Sequence, residues 1–499
     1  AVPLFGYEVP VRTDESVDPE YGTGLMMVCT FGDSEDVLKW RRDHLDLRLV
    51  VEPDGRLGEL AGEFAGLTLA QGRSAIVKAL DEAGLLVSSD PVRQVVGVHE
   101  RCQTPVEFQI RPQWFIAVRE HADRFRARTA ELEWIPPFMR RRLEDWIDGL
   151  KWDWNITRQR RYGVPFPVWF CAACSAPVLA RLEDLPVDPL ADSPPVSSCP
   201  SCGGGELVPD PDVMDTWMAS SLSPQVNDGW AFGSGFGSDP ALAPMSMRVQ
   251  AFEIIRTWLF YSVVQSELLF GRVPWRTALI SGWGLTEQGK KLSKRDLGKS
   301  AGPDGYNRYV PDDVMGKYGA DAVRLWATRA RIGTDLRYNE KDIRTGRKFA
   351  VKLWNVGRFL SMNLGDLDVS ATATAPPPGE RDIVDRWMLS HLADTVAEAT
   401  AAFGSHDYMQ AHQAASQMFW SVYCDRYLEM IKDRIGASGD RDSARWTLRE
   451  SFRVLLGLFA PFAPFVTERM YQQFYRTHEG TISLHLTRWP EPDERWRGD

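Results

Sequence analysis

The sequence has no run long and apolar enough to span a membrane. Its most apolar stretch, Val454 to Val466, carries Pro461 and Pro464 and falls short of the roughly 20 residues a bilayer helix needs. No basic segment leads into an apolar run at the start, so the opening AVPLFGYEVP is not a secretory signal. Positive charge is in deficit: 58 Lys and Arg against 68 Asp and Glu leave a net charge of −10. Composition therefore gives no sign of a nucleic-acid partner, which usually recruits a basic surface, although a local basic stripe can bind phosphate on an acidic protein. Collagen-like and low-complexity character are absent too, since 44% hydrophobic and 25% charged residues are ordinary for a globular chain. At about 100–200 residues per domain, the length of 499 implies about three domains with well-formed cores. The first residue is Ala1 rather than Met, and the expectation is a processed or cut chain.

Cysteine is scarce, at seven residues, yet four of them are paired: Cys171 and Cys174 in CAACSAP, and Cys199 and Cys202 in CPSCGGG. Two thiolates on one tight turn can take two corners of a tetrahedron, and a second turn supplies the others, so the pattern points to a zinc ribbon. A redox CxxC is the alternative. Four sulfur ligands close the shell, so such a site is structural rather than catalytic. The other thiols, Cys29, Cys102 and Cys424, are scattered, which with no signal peptide suggests a reducing, cytoplasmic setting.

Residues 1–134 read as mixed α/β, with β-rich runs at Leu25–Thr30 and Leu47–Val51 and a helical pattern over Leu69–Ala83. FMRRRLEDWIDGL reads as a basic helix, AFEIIRTWLFYSVVQSELLF as a largely apolar buried helix, and WRTALIS as a strand feeding the loop GWGLTEQGKKLSKRDLGKS. Pro311 sits where a first-turn proline belongs, followed by Asp312 and Asp313; Gly319 closes that helix and Asp321 begins another. The linker SATATAPPPGE marks a boundary, and the sequence beyond it is helical. There DIVDRWMLSHLADTVAEATAAF puts Ile383, Trp387, Leu389 or Leu392, and Val396 on one stripe, as in a helical bundle.

Lys290, Lys291, Lys294, Arg295 and Lys299 crowd the glycine-containing loop after the strand. Such a loop can place several cations on a polyphosphate and stabilise a leaving pyrophosphate; a solvated basic loop is the alternative. GKKLSKR resembles the KMSKS loop of class I aminoacyl-tRNA synthetases. In matching order, KWDWNITRQRRYGVPFPVWFC, PDVMDTWMASSLSPQ, VQAFEIIRTWLFYS, YVPDDVMGKYGADAVRLWATRARIGTDLRYNEKDI and EYGTGLMMVCTFGDSEDV resemble catalytic, linking and editing segments of the valine, isoleucine and leucine enzymes. The wording ITRQRRYG, DTWMASS, EIIRTWLFY and VCTFGD is most similar to the archaeal-type valyl-tRNA synthetase family, over essentially the whole chain.

The resemblance implies an α/β fold: an editing β-barrel-like part (1–134), the second half of a Rossmann-type catalytic domain (135–300) with a zinc ribbon at 168–208, a stem-contact domain (301–375) and a helical anticodon-binding bundle (376–499). It implies that Lys291 and Lys294 hold ATP phosphates, with Mg2+ accompanying the ATP. Gln250 and Glu253 are to meet the substrate amino group and the adenylate ribose, and Trp217, Ile254 and Trp258 are to wall the valine pocket; on the residues alone these three read equally as core. In the editing part, Asp33 and Asp36 are to hold the ammonium of a mischarged threonine and order the hydrolytic water, with Tyr21, Met27 and Cys29 shaping the pocket; a solvated acidic turn is the alternative. The implied partners are tRNA, valine and ATP, with no membrane. The tRNA would be met by basic clusters such as Arg140–Arg142, Arg158–Arg161 and Lys290–Lys299. Trp387 and Trp420 are read as core rather than as stacking platforms.

The family also needs an HxGH motif, and none of the eight histidines supplies that spacing. The expectation is therefore a fragment or one half of a split enzyme whose N-terminal half carries that motif. Departures from the family pattern are Leu292 and Arg295 in the lysine loop, Ala251 for a glycine, Phe252 for a polar residue and Asn155 for a cysteine. Three readings follow: a valine–tRNA ligase seen in part, a diverged tRNA-binding paralogue, or an isoleucine or leucine enzyme of the same subgroup.

Overall fold

The computed structural model describes all residues except 90, 92, 94, 100, 101, 231–242, 293–300, 365–375, 437–440, 494, 495 and 497–499. It divides into two compact units, Ala1–Trp114 and Phe115–Asp499.

The first unit is built around two helices. Ser34–Asp43 is N-capped by Asp33, whose carboxylate accepts from the Glu35 and Asp36 N–H groups. Leu69–Glu82, the helix the sequence pattern predicts over Leu69–Ala83, starts on a reciprocal capping box between Thr68 and Gln71. Leu57, Ala61 and Phe64 form a small core covered by Leu69, Ile76 and Ala79. The two β-rich runs do not become strands. Leu25–Thr30 forms no strand, and Leu47–Val51 contributes only an isolated bridge between Val51 and Leu57. A strand needs a ladder partner; here the Thr30 hydroxyl bridges the runs instead, donating to the Arg48 carbonyl at 3.0 Å and accepting from its N–H at 3.2 Å. Leu25, Met26 and Met27 stay exposed.

The second unit is organised on a parallel three-stranded sheet in the order Glu133–Ile135, Trp275–Ser281, Met245–Ala251. The central strand has Trp275, Ala278, Leu279 and Ile280 buried, the continuous apolar run expected of a strand covered on both faces. The AFEIIRTWLFY segment leaves the sheet as a 3-10 turn (Phe252–Ile254) and a wide π turn (Ile255–Leu259) before the α-helix Phe260–Phe270. Glu267 on that helix is buried and pairs with Arg124 at 2.7 Å and Arg128 at 2.5 Å, fastening the helix Ala122–Glu131 beside it.

The helix Pro311–Tyr318 begins on its proline and ends at Gly319, which has φ +91°. In the next helix, Ala320–Ala327, Asp321 has a role the sequence does not announce. Its carboxylate accepts from the Phe465 and Val466 N–H groups at 3.2 and 2.7 Å, capping a helix far along the chain, Pro464–Phe474. A 25-residue helix, Glu340–Leu364, then runs into the bundle formed by Ile383–Gly404, Tyr408–Gln417, Leu428–Gly436, Arg441–Phe459 and Pro464–Phe474.

The predicted stripe on the first bundle helix is turned at its start. Ile383 is 70% exposed, and the inward positions are Asp385, Met388, Leu389, Leu392, Ala393 and Val396. The cause is polar: the inward place in the first turn belongs to Asp385, held by Tyr427, Ser443 and Arg434. Trp387 and Trp420 pack against the core. Among the described residues no helix is long and apolar enough to cross a membrane.

Candidate active site and cysteine cluster

Ligands of parallel α/β sheets bind beyond the carboxyl ends of the strands. Two segments emerge there side by side: Gln250, Ala251, Phe252 and Glu253 from one strand, and Ser281, Gly282 and Trp283 from the central one. Gly282 has no room for a side chain, because a Cβ would lie 2.2 Å from the Thr334 carbonyl oxygen. That approach lets the Asp335 carboxylate accept from the Trp283 N–H at 2.8 Å, and the Trp283 carbonyl accept from the Leu336 N–H at 2.8 Å.

Gly284–Leu285 then pairs with Leu336–Arg337, and the chain folds back so that Leu285 bridges Lys291 around a turn at Gly289, φ +80°. The turn delivers the Lys291 ammonium to the Glu253 carboxylate, to which the Trp283 indole N–H also donates at 3.0 Å. Lys291 lies 4.9 Å from the Trp283 ring centroid. Phe252 packs on Trp283 at 4.6 Å, and the Arg142 guanidinium lies over the Phe252 ring at 4.7 Å. Lys291 and Glu253 remain partly exposed, so an anionic ligand can reach the ammonium. Lys294 and Arg295 lie outside the described residues.

Gln250 is buried, and its Oε1 has no hydrogen-bond partner. An orphaned acceptor of this kind costs free energy until a donor arrives. Trp217, Ile254 and Trp258 are half-buried. The Trp258 indole N–H donates to the Ser220 carbonyl at 2.9 Å, which joins it to the short helix Thr216–Ser220 that carries Trp217. Arg248, one strand alternation before Gln250, stacks over Trp258; burial lowers its pKa to about 10.

The sequence reading missed Trp283, Arg142 and Arg248 as members of this cluster. Only Trp283, just after the strand that feeds the lysine loop, had a local signal. The Arg140–Arg142 cluster is largely spent internally, since Arg140 pairs with Glu144 and Arg141 with Asp145, each at 2.7 Å.

The four paired cysteines converge. Cys171 ends the central strand of a small antiparallel sheet, Pro177–Leu179, Val168–Cys171, Leu207–Pro209. The sulfurs of Cys171 and Cys202 are 3.5 Å apart, those of Cys174 and Cys199 3.7 Å, and all four lie within 4.8 Å of one another. A tetrahedral ion with metal–sulfur bonds of about 2.3 Å separates its sulfurs by about 3.8 Å, so the four thiols can hold one metal ion. Gly203 takes φ +76°, and a Cβ on Gly204 would press the Cys171 sulfur at 3.2 Å. The backbone N–H groups of Ser201 and then Cys202 lower the Cys199 pKa to about 6, which favours the thiolate a metal requires.

In the first unit Cys29, Asp33 and Asp36 are brought together. Asp36 accepts from the Gly32 N–H at 2.8 Å, and desolvation followed by the Asp36 and Asp33 charges pushes the Cys29 thiol up. Asp33 spends its carboxylate on the helix cap. Tyr21 and Met27 are exposed, at 83% and 62%.

The sequence profile described as tRNA synthetases class I (I, L, M and V) matches residues 33–339, and that described as the anticodon-binding domain of tRNA ligase matches residues 385–499. The chain is 41% identical to a valine–tRNA ligase of Methanopyrus kandleri over 98% of its own length and 52% of that protein's. It is 37% identical to one of Thermoplasma acidophilum, covering 99% and 61%, and 38% identical to one of Anaplasma marginale, covering 99% and 59%. It thus spans about half the length of the curated relatives it matches. The fold resembles that of a Mycobacterium tuberculosis methionyl-tRNA synthetase bound by methionyl-adenylate, with a TM-score of 0.50 at 18% identity, covering 80% of this chain and 72% of that one. A LeuRS of Agrobacterium radiobacter in a ternary complex with tRNA and LeuAMS gives a TM-score of 0.50 at 20% identity, covering 70% and 44%. With its parallel sheet, its lysine hairpin and a family profile over residues 33–339, the chain belongs to the class I tRNA synthetases of the I, L, M and V group.

Proposed function

We propose that the chain is the part of a valine–tRNA ligase that carries the lysine loop, the pocket helix and the anticodon-binding bundle. The identity of 37–41% to valine–tRNA ligases over almost the whole chain carries this reading, and does not favour a diverged paralogue. In the reaction, valine and ATP form valyl-adenylate with release of pyrophosphate, and the valyl group then passes to the tRNA. Trp217, Ile254 and Trp258 wall the apolar side chain. The Gln250 Oε1 accepts a hydrogen bond from the valine ammonium, which supplies the donor it lacks. Lys291, with Lys294, neutralises the phosphates of Mg2+-ATP as charge develops on the leaving group. For this Lys291 must leave Glu253, which is then free to accept from the adenylate ribose. The HxGH motif that acts on the α-phosphate in this family is not found among the eight histidines of this sequence.

A hydrolytic site follows from chemistry. Threonine is isosteric with valine, and an apolar pocket rejects it only about 100-fold. The first unit, with Cys29 near Asp36 on the Asp33-capped helix, is part of an editing domain that removes threonine from the tRNA. The cysteine cluster takes structural zinc through Cys171, Cys174, Cys199 and Cys202; bound zinc would fix the two knuckles against each other. The setting is the cytoplasm.

The chain alone is expected to show no valine-dependent ATP–pyrophosphate exchange. Adding the HxGH-bearing segment of a close relative should restore it, with valine preferred to isoleucine and leucine; a properly assembled complex that stays inactive sinks the proposal. For the metal, the purified chain should contain one zinc per chain, and Cys199→Ser should abolish that stoichiometry while leaving the bundle's helical signal intact. Full zinc content in the variant would reject the four-sulfur assignment.

A further inference from the structure

A cavity of about 580 Å³ opens between the end of the central strand and the helical bundle. Its walls are aromatic: Trp283 from the strand end, Trp326 from the helix Ala320–Ala327, and Phe403, Tyr408 and Phe462 from the bundle. Polar ties hold these walls in place. Trp283 is anchored through its backbone to Asp335 and Leu336. The Arg324 guanidinium donates to the Pro461 and Phe462 carbonyls at 2.8 and 3.3 Å, and Asp321 caps the helix that follows them. Aromatic surface held open to water gains free energy when an apolar ring covers it. No carboxylate lines the cavity among the described residues, whereas Arg324 and Arg331 both do. Arg324 is spent on the two carbonyls. Arg331 is exposed and makes no ion pair among the described residues. Burial raises the Tyr408 pKa, so its hydroxyl stays a neutral donor. The Thr328 and Thr334 hydroxyls are already committed to the Leu325 and Arg331 carbonyls, each at 2.8 Å.

We propose that this cavity is a binding site for a small planar molecule of hydrocarbon rings that carries one acidic group, with the rings against the aromatic walls and the acid on Arg331. Rings gain from offset or edge contacts with such walls, and a guanidinium matches a carboxylate with two parallel hydrogen bonds. The volume falls in the range of about 300–1,000 Å³ typical of small-molecule sites and is too small for a docked helix. A nucleobase is disfavoured, because the threonine hydroxyls that would read its edge are spent. One wall, Trp283, also donates to Glu253, so the cavity borders the lysine hairpin without including Lys291. The inference needs only the fold of the second unit, and its failure leaves the valine reading untouched.

The probe is naphthoate, titrated into the full chain by calorimetry. One molecule should bind per chain. The neutral naphthylmethanol should bind about tenfold more weakly, for want of the charge-assisted contact. Arg331→Gln should erase that difference while leaving the alcohol's affinity unchanged. Ala327→Trp, at an exposed position on the cavity wall, should fill the space and abolish binding of both compounds. Ala330→Phe fills the same cavity from a neighbouring position and should do the same. Melting temperatures equal to the parent's show that the variants fold. Excess AMP should not displace naphthoate. A parent that binds no naphthoate overturns the site, and so does binding that the folded filling variants leave unchanged. Equal affinity of acid and alcohol in the parent overturns the ligand class. Displacement by AMP overturns it too, since the cavity would then be a nucleotide subsite.

Discussion

Lys291→Ala is expected to slow adenylate formation about 10²–10³-fold in enzyme supplied with an HxGH-bearing segment of a relative, the usual cost of removing one preorganised group from a developing charge. The hairpin that presents Lys291 is held by backbone bonds, including Thr286 N–H to the Lys290 carbonyl at 2.7 Å, so truncating the side chain leaves the loop in place. The ammonium is partly exposed and its resting partner is Glu253, so fold stability should change little. The readout is valine-dependent pyrophosphate exchange. A fall in kcat with KM for valine nearly unchanged places the role on the phosphates; a decrease of less than threefold would remove Lys291 from the machinery. Glu253→Gln supplies a contrast, because it weakens the resting ion pair while keeping an acceptor at Oε1.

The largest stability effect is expected at Asp385. Its carboxylate has no solvent exposure and accepts from Tyr427 Oη at 2.8 Å, Ser443 Oγ at 2.6 Å and both Arg434 nitrogens at 2.9 and 3.2 Å. Asp385→Ala removes the buried carboxylate from Arg434, which keeps Asp382 at 3.2 Å, and from the Tyr427 and Ser443 hydroxyls. Breaking a buried pair from one side costs about 3–5 kcal/mol. Denaturant unfolding followed by helical circular dichroism should show that destabilisation in the bundle transition, while zinc content stays at the parental level. A change below about 1 kcal/mol would mean that water replaces the carboxylate and that the site is more open than its burial indicates.

Much of the secondary structure and one whole site were legible in the residues. The cysteine spacing predicted a four-sulfur cluster, and the sulfurs do converge, because two short turns leave the chain few ways to place their thiols. Pro311 and Gly319 announced helix ends, because capping is chemistry between near neighbours. The strand WRTALIS was legible because its buried stretch Ala278–Ile280 is a short apolar run feeding a glycine-containing loop. Long-range contacts left no such mark. Leu25–Thr30 and Leu47–Val51 have strand-like composition, but pairing depends on a partner that composition does not specify. Ile383 fits an apolar stripe, yet Asp385 takes the inward place for reasons that lie 42 to 58 residues away.

The sequence by itself determined the sulfur cluster, several helix ends and the strand that feeds the lysine loop, all set by short-range geometry and by hydrophobic period. Only the tertiary structure decided which charges are spent and which are available. It closes Arg140 and Arg141 onto carboxylates, turns Lys291 onto Glu253 beneath Trp283, and leaves Lys341, Arg344, Lys348 and Arg358 facing water. Net charge counts residues, whereas binding depends on which of them the fold has already paired, and that pairing is made between segments far apart in the chain.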